Sequence, residues 1–335
     1  MRGKVYILLL FGMVLLASCQ WSLEHGMGGN VSTDIKVHRF DKLQEEYVSL
    51  NSFSALQKMS TDYPQETKFL IEDVLAIGSV SDDNINLRMR EYYSDTILRA
   101  LSRDAQRKFQ NMDDVERDFT RAFKRLKREL PHMTIPRVYA QFSALNQSVV
   151  VGDSTLGFSI DKYLGSDYPL YARFYYPYQR TTMSPERIVP DCLNFYLLSE
   201  YPFPWEWHRT LLDHLLHQGK IQWVVAQALG FSTLEEAIGF TPSAAEWCKI
   251  RKENIWNYLV ESGQLHSTDP LWVEVYLQPA EYTFPLGMDS PGEVGVWLGI
   301  HLIDEYMAKN KHLTIADLLR ETDYRSILKN LQLHY

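Results

Sequence analysis

The sequence predicts an α+β protein that is predominantly helical, with a small β-sheet, a helical N-terminal lobe and long C-terminal helices. Three observations lead there. Residues 115–130 repeat apolar side chains at helical spacing, 137–142 and 148–161 are rich in β-formers, and cap and stop residues punctuate the rest of the chain. With 335 residues, 45% hydrophobic and 23% charged, a sizeable core is within reach. The formal charge of -8 argues against phosphate-backbone binding, so no nucleic-acid partner is expected.

The chain opens MRGKVYILLLFGMVLLASC, with Arg2 and Lys4 before an apolar run and small residues before a cysteine. This is the layout of a signal peptide. As a helix the run would reach only about 20 Å, short of a hydrocarbon core of about 30 Å. Leu16-Ala17-Ser18-Cys19 reads as a lipobox, so residues 1–18 are expected to be a lipoprotein signal peptide and Cys19 the acylated N-terminus. Cleavage would remove Arg2 and Lys4 and take the charge from -8 to -10. Residues 19–33, with three glycines and little periodicity, are expected to be a flexible tether spanning about 20 Å. Residues 34–335 are then a single globular domain.

Within that domain, 34–40 reads as extended, with Ile35 and Val37 on one face, and 41–130 as mostly helical. Val115, Phe119, Ala122, Phe123, Leu126 and Leu130 mark one face of a helix that Asp113 or Asp114 can cap. Its other face carries Arg117, Arg121, Lys124, Arg125, Lys127 and Arg128, diluted by Glu116, Asp118 and Glu129. That face suits solvent first, and a membrane surface or acidic partner second. Pro131 and Pro136 end the helix; RVYAQF (137–142) predicts a strand and 148–161 a hairpin turning near Gly152-Asp153. Ser184-Pro185, Pro204, Thr241-Pro242 and Ser290-Pro291 with Glu293 predict four further helix starts. Gly230 and Gly263 are expected stops. Gly292, Gly295 and Gly299 predict close helix packing in the core.

Catalytic templates are incomplete. No two histidines stand four apart as in His-Glu-x-x-His, and Asp213-His214-Leu215-Leu216-His217 has leucine where a base would stand. The plain reading of that run is Asp213 pairing with His217 on one helix face. Gly157-Phe158-Ser159-Ile160-Asp161 lacks the second glycine of a nucleophile elbow, and no phosphate-cradling glycine loop is present. Cys192 and Cys248 are either a bridge, in an oxidising compartment, or two buried thiols. The most unusual run is 161–180, where Asp161, Tyr163, Asp167, Tyr168, Tyr171, Arg173, Tyr175, Tyr176 and Tyr178 crowd around two prolines. Such a loop either binds a glycan or a protein, or packs over the core with its hydroxyls at the rim.

The lipobox, RFD (39–41), LGFSIDKYLGSDYPLY (156–171), RIVPD (187–191), TPSAAEWCKIRKENIW (241–256), LHSTDP (265–270) and SPGEVGVWLG (290–299) together resemble the gliding-motility lipoprotein GldB family of Bacteroidota. The resemblance implies an envelope lipoprotein associated with gliding and type IX secretion. It also implies a distant likeness to zinc-dependent peptidases, with 185–200 in place of the motif helix and 205–229 as the helix of a third ligand. Here the first helix reads RIVPDC, without histidine, which makes a zincin-like shell without its chemistry. Asp191, His208, His214 and His217 are the nearby metal-competent side chains; no metal or other cofactor is expected. The expected function is a non-catalytic, membrane-anchored protein, in the outer membrane facing the periplasm, that binds an envelope component. The alternatives are a peptidase or peptidoglycan hydrolase with a non-standard site, and a glycan-binding lipoprotein.

Overall fold

Backbone paired at the start of the domain and alternating Ile35 and Val37 lead into a short strand, β1 (His38–Arg39), parallel to β2 (Arg137–Gln141). The computed structural model describes residues 34–204 and 209–333; Cys19, the expected signal peptide and His208 lie outside the described residues. From Ile35 onward the chain forms one compact unit. β2 pairs parallel with β4 (Thr155–Ser159), and β3 (Val149–Val151) closes a hairpin on β4, giving the order β1-β2-β4-β3. The turn sits where the sequence placed it, with the Gly152 amide donating to Thr155. β3 is therefore an edge strand, with its outer side free of any further strand among the described residues.

Six α-helices lie between β1 and β2: α1 (Phe40–Leu50), α2 (Phe53–Asp62), α3 (Pro64–Lys68, continued by a π-helical stretch Phe69–Val74), α4 (Ile85–Tyr92), α5 (Thr96–Lys108) and α6 (Asp113–Glu129). The apolar face of α6 is buried as its spacing requires, with Phe119 against Phe158 of β4. Its cap differs from expectation. The N-cap is Met112 without a side-chain bond, because Asp113 and Asp114 already stand inside the first turn, where a negative charge favours the helix dipole.

After β4 come α7 (Pro177–Arg180), α8 (Ile188–Glu200), α9 (Leu211–Leu229), α10 (Glu235–Ile238), α11 (Pro242–Glu261), α12 (Pro270–Leu277), α13 (Val294–Lys309), α14 (Ile315–Arg320) and α15 (Tyr324–Leu331). Pro190 fits within α8 because it falls in the first turn, where its missing N–H is not needed. α9 is buried nearly all round and is the axis of this half. Gly219 of α9 and Gly299 of α13 set that contact: a Cβ on Gly219 would overlap the Gly299 backbone, and one on Gly299 the Leu215 carbonyl. Gly295 and Gly299 thus do what their spacing predicts, whereas Gly292 precedes the helix and lies against the Ala280 backbone.

Two expected helix starts move. Pro204 does not open α9; Thr210 does, through a capping box in which Asp213 accepts from the Thr210 amide at 2.7 Å and its hydroxyl at 3.0 Å. Ser290 does not cap α13 either. Its hydroxyl is spent inside a turn, donating toward the Gly287 carbonyl at 2.6 Å, and the helix begins only at Val294.

Candidate functional site

The residues flanking that late start line a cleft of about 640 Å³ between α8 and α9. One wall is the β3 edge, with Gln147, Ser148 and Val149; the other is the α12 end and the α13 start, with Gln278, Pro279 and Glu293. Past Thr182, Pro279 and Glu293 the cleft continues into a second compartment of about 380 Å³ that reaches Lys162, Tyr175 and Tyr178.

The floor is polar and bonded in a chain. Asn194 of α8 accepts from Gln218 at 3.3 Å and Gln222 at 3.1 Å, both on α9 one turn apart. Asp191, one turn before Asn194, accepts from Arg187 Nη2 at 2.7 Å and from the Tyr163 hydroxyl at 3.1 Å. Arg187 is itself held by the Glu236 and Ala237 carbonyls. Burial raises the carboxyl of Asp191 above its ordinary range, against the pull of Arg187.

Three polar atoms in this cleft lack partners among the described residues. Gln222 Oε1, His217 Nε2 and Arg187 Nε are buried without a hydrogen bond. His217 is 3% exposed and Gln222 7%. His217 Nδ1 stands 2.8 Å from the Tyr324 hydroxyl, and burial with Lys220 close by pushes the ring down to about 3, so it is neutral. Glu293 holds a left-handed backbone, φ 57°, an uncommon state for a residue with a side chain. Burial pushes its carboxyl up to about 7, with Arg187 opposing and Asp191 adding to the shift.

The metal candidates do not converge. Asp191 is committed to a guanidinium, and His214 stacks on Phe203 with ring centroids 3.9 Å apart. Asp213 is used in the capping box and by Arg209 at 3.8 Å, so the expected Asp213–His217 pair does not form; the helix cap competes for the same carboxylate. Among the described residues no three His, Cys, Asp or Glu side chains group together. The donor set at the Asp191 position, a carboxylate already neutralised by arginine beside two glutamines, is a poor fit for zinc.

The tyrosine segment takes its second reading in most of its length. Asp161 is fully buried and accepts from the Ser143 amide at 2.9 Å and the Leu145 amide at 2.6 Å. It pins Ala144 and Leu145 in left-handed conformations, φ 54° and 67°. Burial still raises its carboxyl above the usual range. Tyr171 is buried, donating to the Asp161 carbonyl at 2.6 Å and accepting from the Leu164 amide at 2.9 Å. Tyr163 is buried on Asp191, and Tyr168 donates to Asp104 at 2.8 Å. Tyr175 donates to the Leu145 carbonyl and accepts from Lys162, both at 2.8 Å. Asp167, Arg173 and Tyr176 are exposed, and Tyr176 stacks on Tyr178. Cys192 on α8 and Cys248 on α11 are free thiols rather than a bridge, each buried in its own packing. Burial pushes Cys248 up to about 12 and Cys192 well above its ordinary value.

A family model described as gliding motility protein GldB matches residues 25–332. The chain belongs to the GldB family. No match was found among curated proteins or among solved structures. Among the described residues no helix of this GldB-family protein is long and apolar enough to cross a membrane. Sequence reasoning missed Gln218, Gln222 and Glu293 as cleft residues. The one available signal for Glu293 was misread, because an acidic residue after Ser-Pro at a helix start also describes a capping box.

Proposed function

We propose that this gliding-motility lipoprotein is anchored through Cys19 to the outer membrane, faces the periplasm and works by binding, not catalysis. The cleft between α8 and α9 is its binding site for a protein of the gliding or type IX secretion apparatus. The carrying observation is the set of unpartnered groups there: Gln222 Oε1, His217 Nε2 and Arg187 Nε. A buried polar atom without a partner costs about 1–3 kcal/mol, a cost a partner's hydrogen bonds would offset. The β3 edge beside them favours an extended polypeptide, since edge backbone groups pair readily with another strand. Tyr175 and Tyr178 at the far compartment add rings to the same cleft.

The test is a photo-crosslinking residue placed at Gln218 in intact envelopes, with a second placed at exposed Tyr176. Adducts of one defined mass from the Gln218 position alone support the cleft. Adducts from Tyr176 alone would move the site to the loop. Loss of Cys19, as in Cys19→Ala, is expected to release the protein from the membrane fraction; retention after a high-salt wash would refute lipid anchoring.

A further inference from the structure

The charges of α6 are unevenly placed. Its first turns carry Asp113, Asp114, Glu116 and Asp118 with Arg117 as the one early base, whereas Arg121, Lys124, Arg125, Lys127 and Arg128 follow with Glu129 as the one late acid. Arg125 and Lys127 turn inward, donating to the Ala228 carbonyl at 3.3 Å and the Met133 carbonyl at 2.7 Å. Arg121, Lys124 and Arg128, at positions i, i+3 and i+7, are exposed along one stripe. Arg121 pairs with Asp118 at 2.7 Å, a surface pair that contributes little and is readily exchanged.

The start of the domain lies on this helix. The Val37 amide donates to Glu116 at 3.0 Å and the Ile35 amide to Thr120 Oγ1 at 2.8 Å. Going backward from Val37 to Ile35, the contacts advance along α6 from Glu116 to Thr120, toward Arg121, Lys124 and Arg128. The described chain therefore begins beside the basic stripe. Fourteen residues separate Cys19 from Asp34, and a flexible chain of that length would span about 20 Å, so a lipid on Cys19 would keep the stripe close to the membrane that carries it.

We infer that Arg121, Lys124 and Arg128 of α6 dock the domain on an anionic phospholipid surface, fixing which side of the molecule faces the bilayer. This rests on the lipid anchor proposed above and is independent of the cleft. Basic side chains near an anionic surface act additively and fade within a Debye length, so each one removed is expected to weaken docking about fivefold.

The experiment uses the full lipoprotein reconstituted in phosphatidylglycerol-containing or phosphatidylcholine vesicles, with a nitroxide headgroup quencher. A fluorophore is attached at Glu129→Cys on α6 or, as reference, at Glu246→Cys on α11; Cys192 and Cys248 are buried and do not compete. In phosphatidylglycerol vesicles the Glu129 label should be quenched severalfold more than the Glu246 label, and in phosphatidylcholine the excess should shrink. The triple variant Arg121→Gln, Lys124→Gln, Arg128→Gln should abolish the excess while still floating with the vesicles. Equal quenching of the two labels in phosphatidylglycerol, or an excess unchanged in the triple variant, would overturn the docking face alone. Failure of the unaltered protein to float with either vesicle would overturn the anchor, and the docking face with it.

Discussion

The tyrosine-rich segment 161–180 and the cleft between α8 and α9 are both polar, yet their polar atoms are used in opposite ways. In the segment, Asp161, Tyr163, Tyr168, Tyr171 and Tyr175 all hold hydrogen-bond partners within the protein, and Arg180 Nε at its end is the exception. In the cleft, Gln222, His217 and Arg187 keep unpartnered atoms. The segment with the unusual composition is mostly structural, and the cleft that matches no motif is where a partner's groups are needed. Unusual composition marks a place worth inspecting, but hydrogen-bond satisfaction separates packing from binding.

The contrast can be broken most sharply at Asp161. Asp161→Ala leaves the Ser143 and Leu145 amides buried without an acceptor and frees the left-handed pair Ala144 and Leu145. The expected loss is about 3 kcal/mol, read from urea unfolding midpoints at constant slope. A loss of partner binding with intact stability would instead make Asp161 part of a site.

Glu293 sharpens the cleft side through pH. Its carboxyl is raised from 4.5 to about 7, so the folded state holds the proton more tightly than the unfolded one. Its favourable contribution is present below 4.5 and is lost as pH rises through 7. Glu293→Gln should flatten that decline, with a relative gain of about 1–2 kcal/mol at pH 8 over pH 5. His217 acts in the other direction: its lowered value makes stability fall as pH drops from 6.5 toward about 3. Thermal unfolding across that range checks both, and identical pH profiles for Glu293→Gln and the unaltered chain would show Glu293 to be unperturbed.

Two smaller effects complete the comparison. Tyr171→Phe removes a bond given and a bond received in the core, and about 1–2 kcal/mol of stability should go with it in denaturant titration. Gln222→Leu is expected to change stability by less than about 1 kcal/mol, because it removes an unpartnered acceptor and Asn194 keeps its bond from Gln218. The same variant should lose the crosslinked adduct formed from Gln218. A Gln222→Leu chain that is strongly destabilised but still crosslinks would place Gln222 with the structural tyrosines.

Much of the fold was legible because its signals are local. The spacing from Val115 to Leu126 sets the face of α6, Thr241-Pro242 starts α11 with the Thr241 hydroxyl accepting from Ala244 at 3.2 Å, and the strands fall at 137–141 and 155–159. The misplaced starts of α9 and α13 arose where two local signals competed. Thr210 with Asp213 outweighs Pro204, and Ser290 bonds within its own turn instead of capping. The cleft was much less legible: Asp191, His214 and His217 were picked out as metal candidates, whereas its amides and Glu293 were not.

The sequence by itself determined the family, the α+β class, the helix periods and the glycines that let α9 meet α13. These follow from chain geometry over a few residues, or from residues matched in order along the chain. Tertiary structure decided which polar atoms are satisfied and which are left open. His217 meets Tyr324 across 107 positions and Asp191 meets Tyr163 across 28, while Gln222 reaches only halfway to satisfaction on Asn194. Whether a buried group finds its partner depends on where distant helices come to rest, and no local pattern encodes that placement.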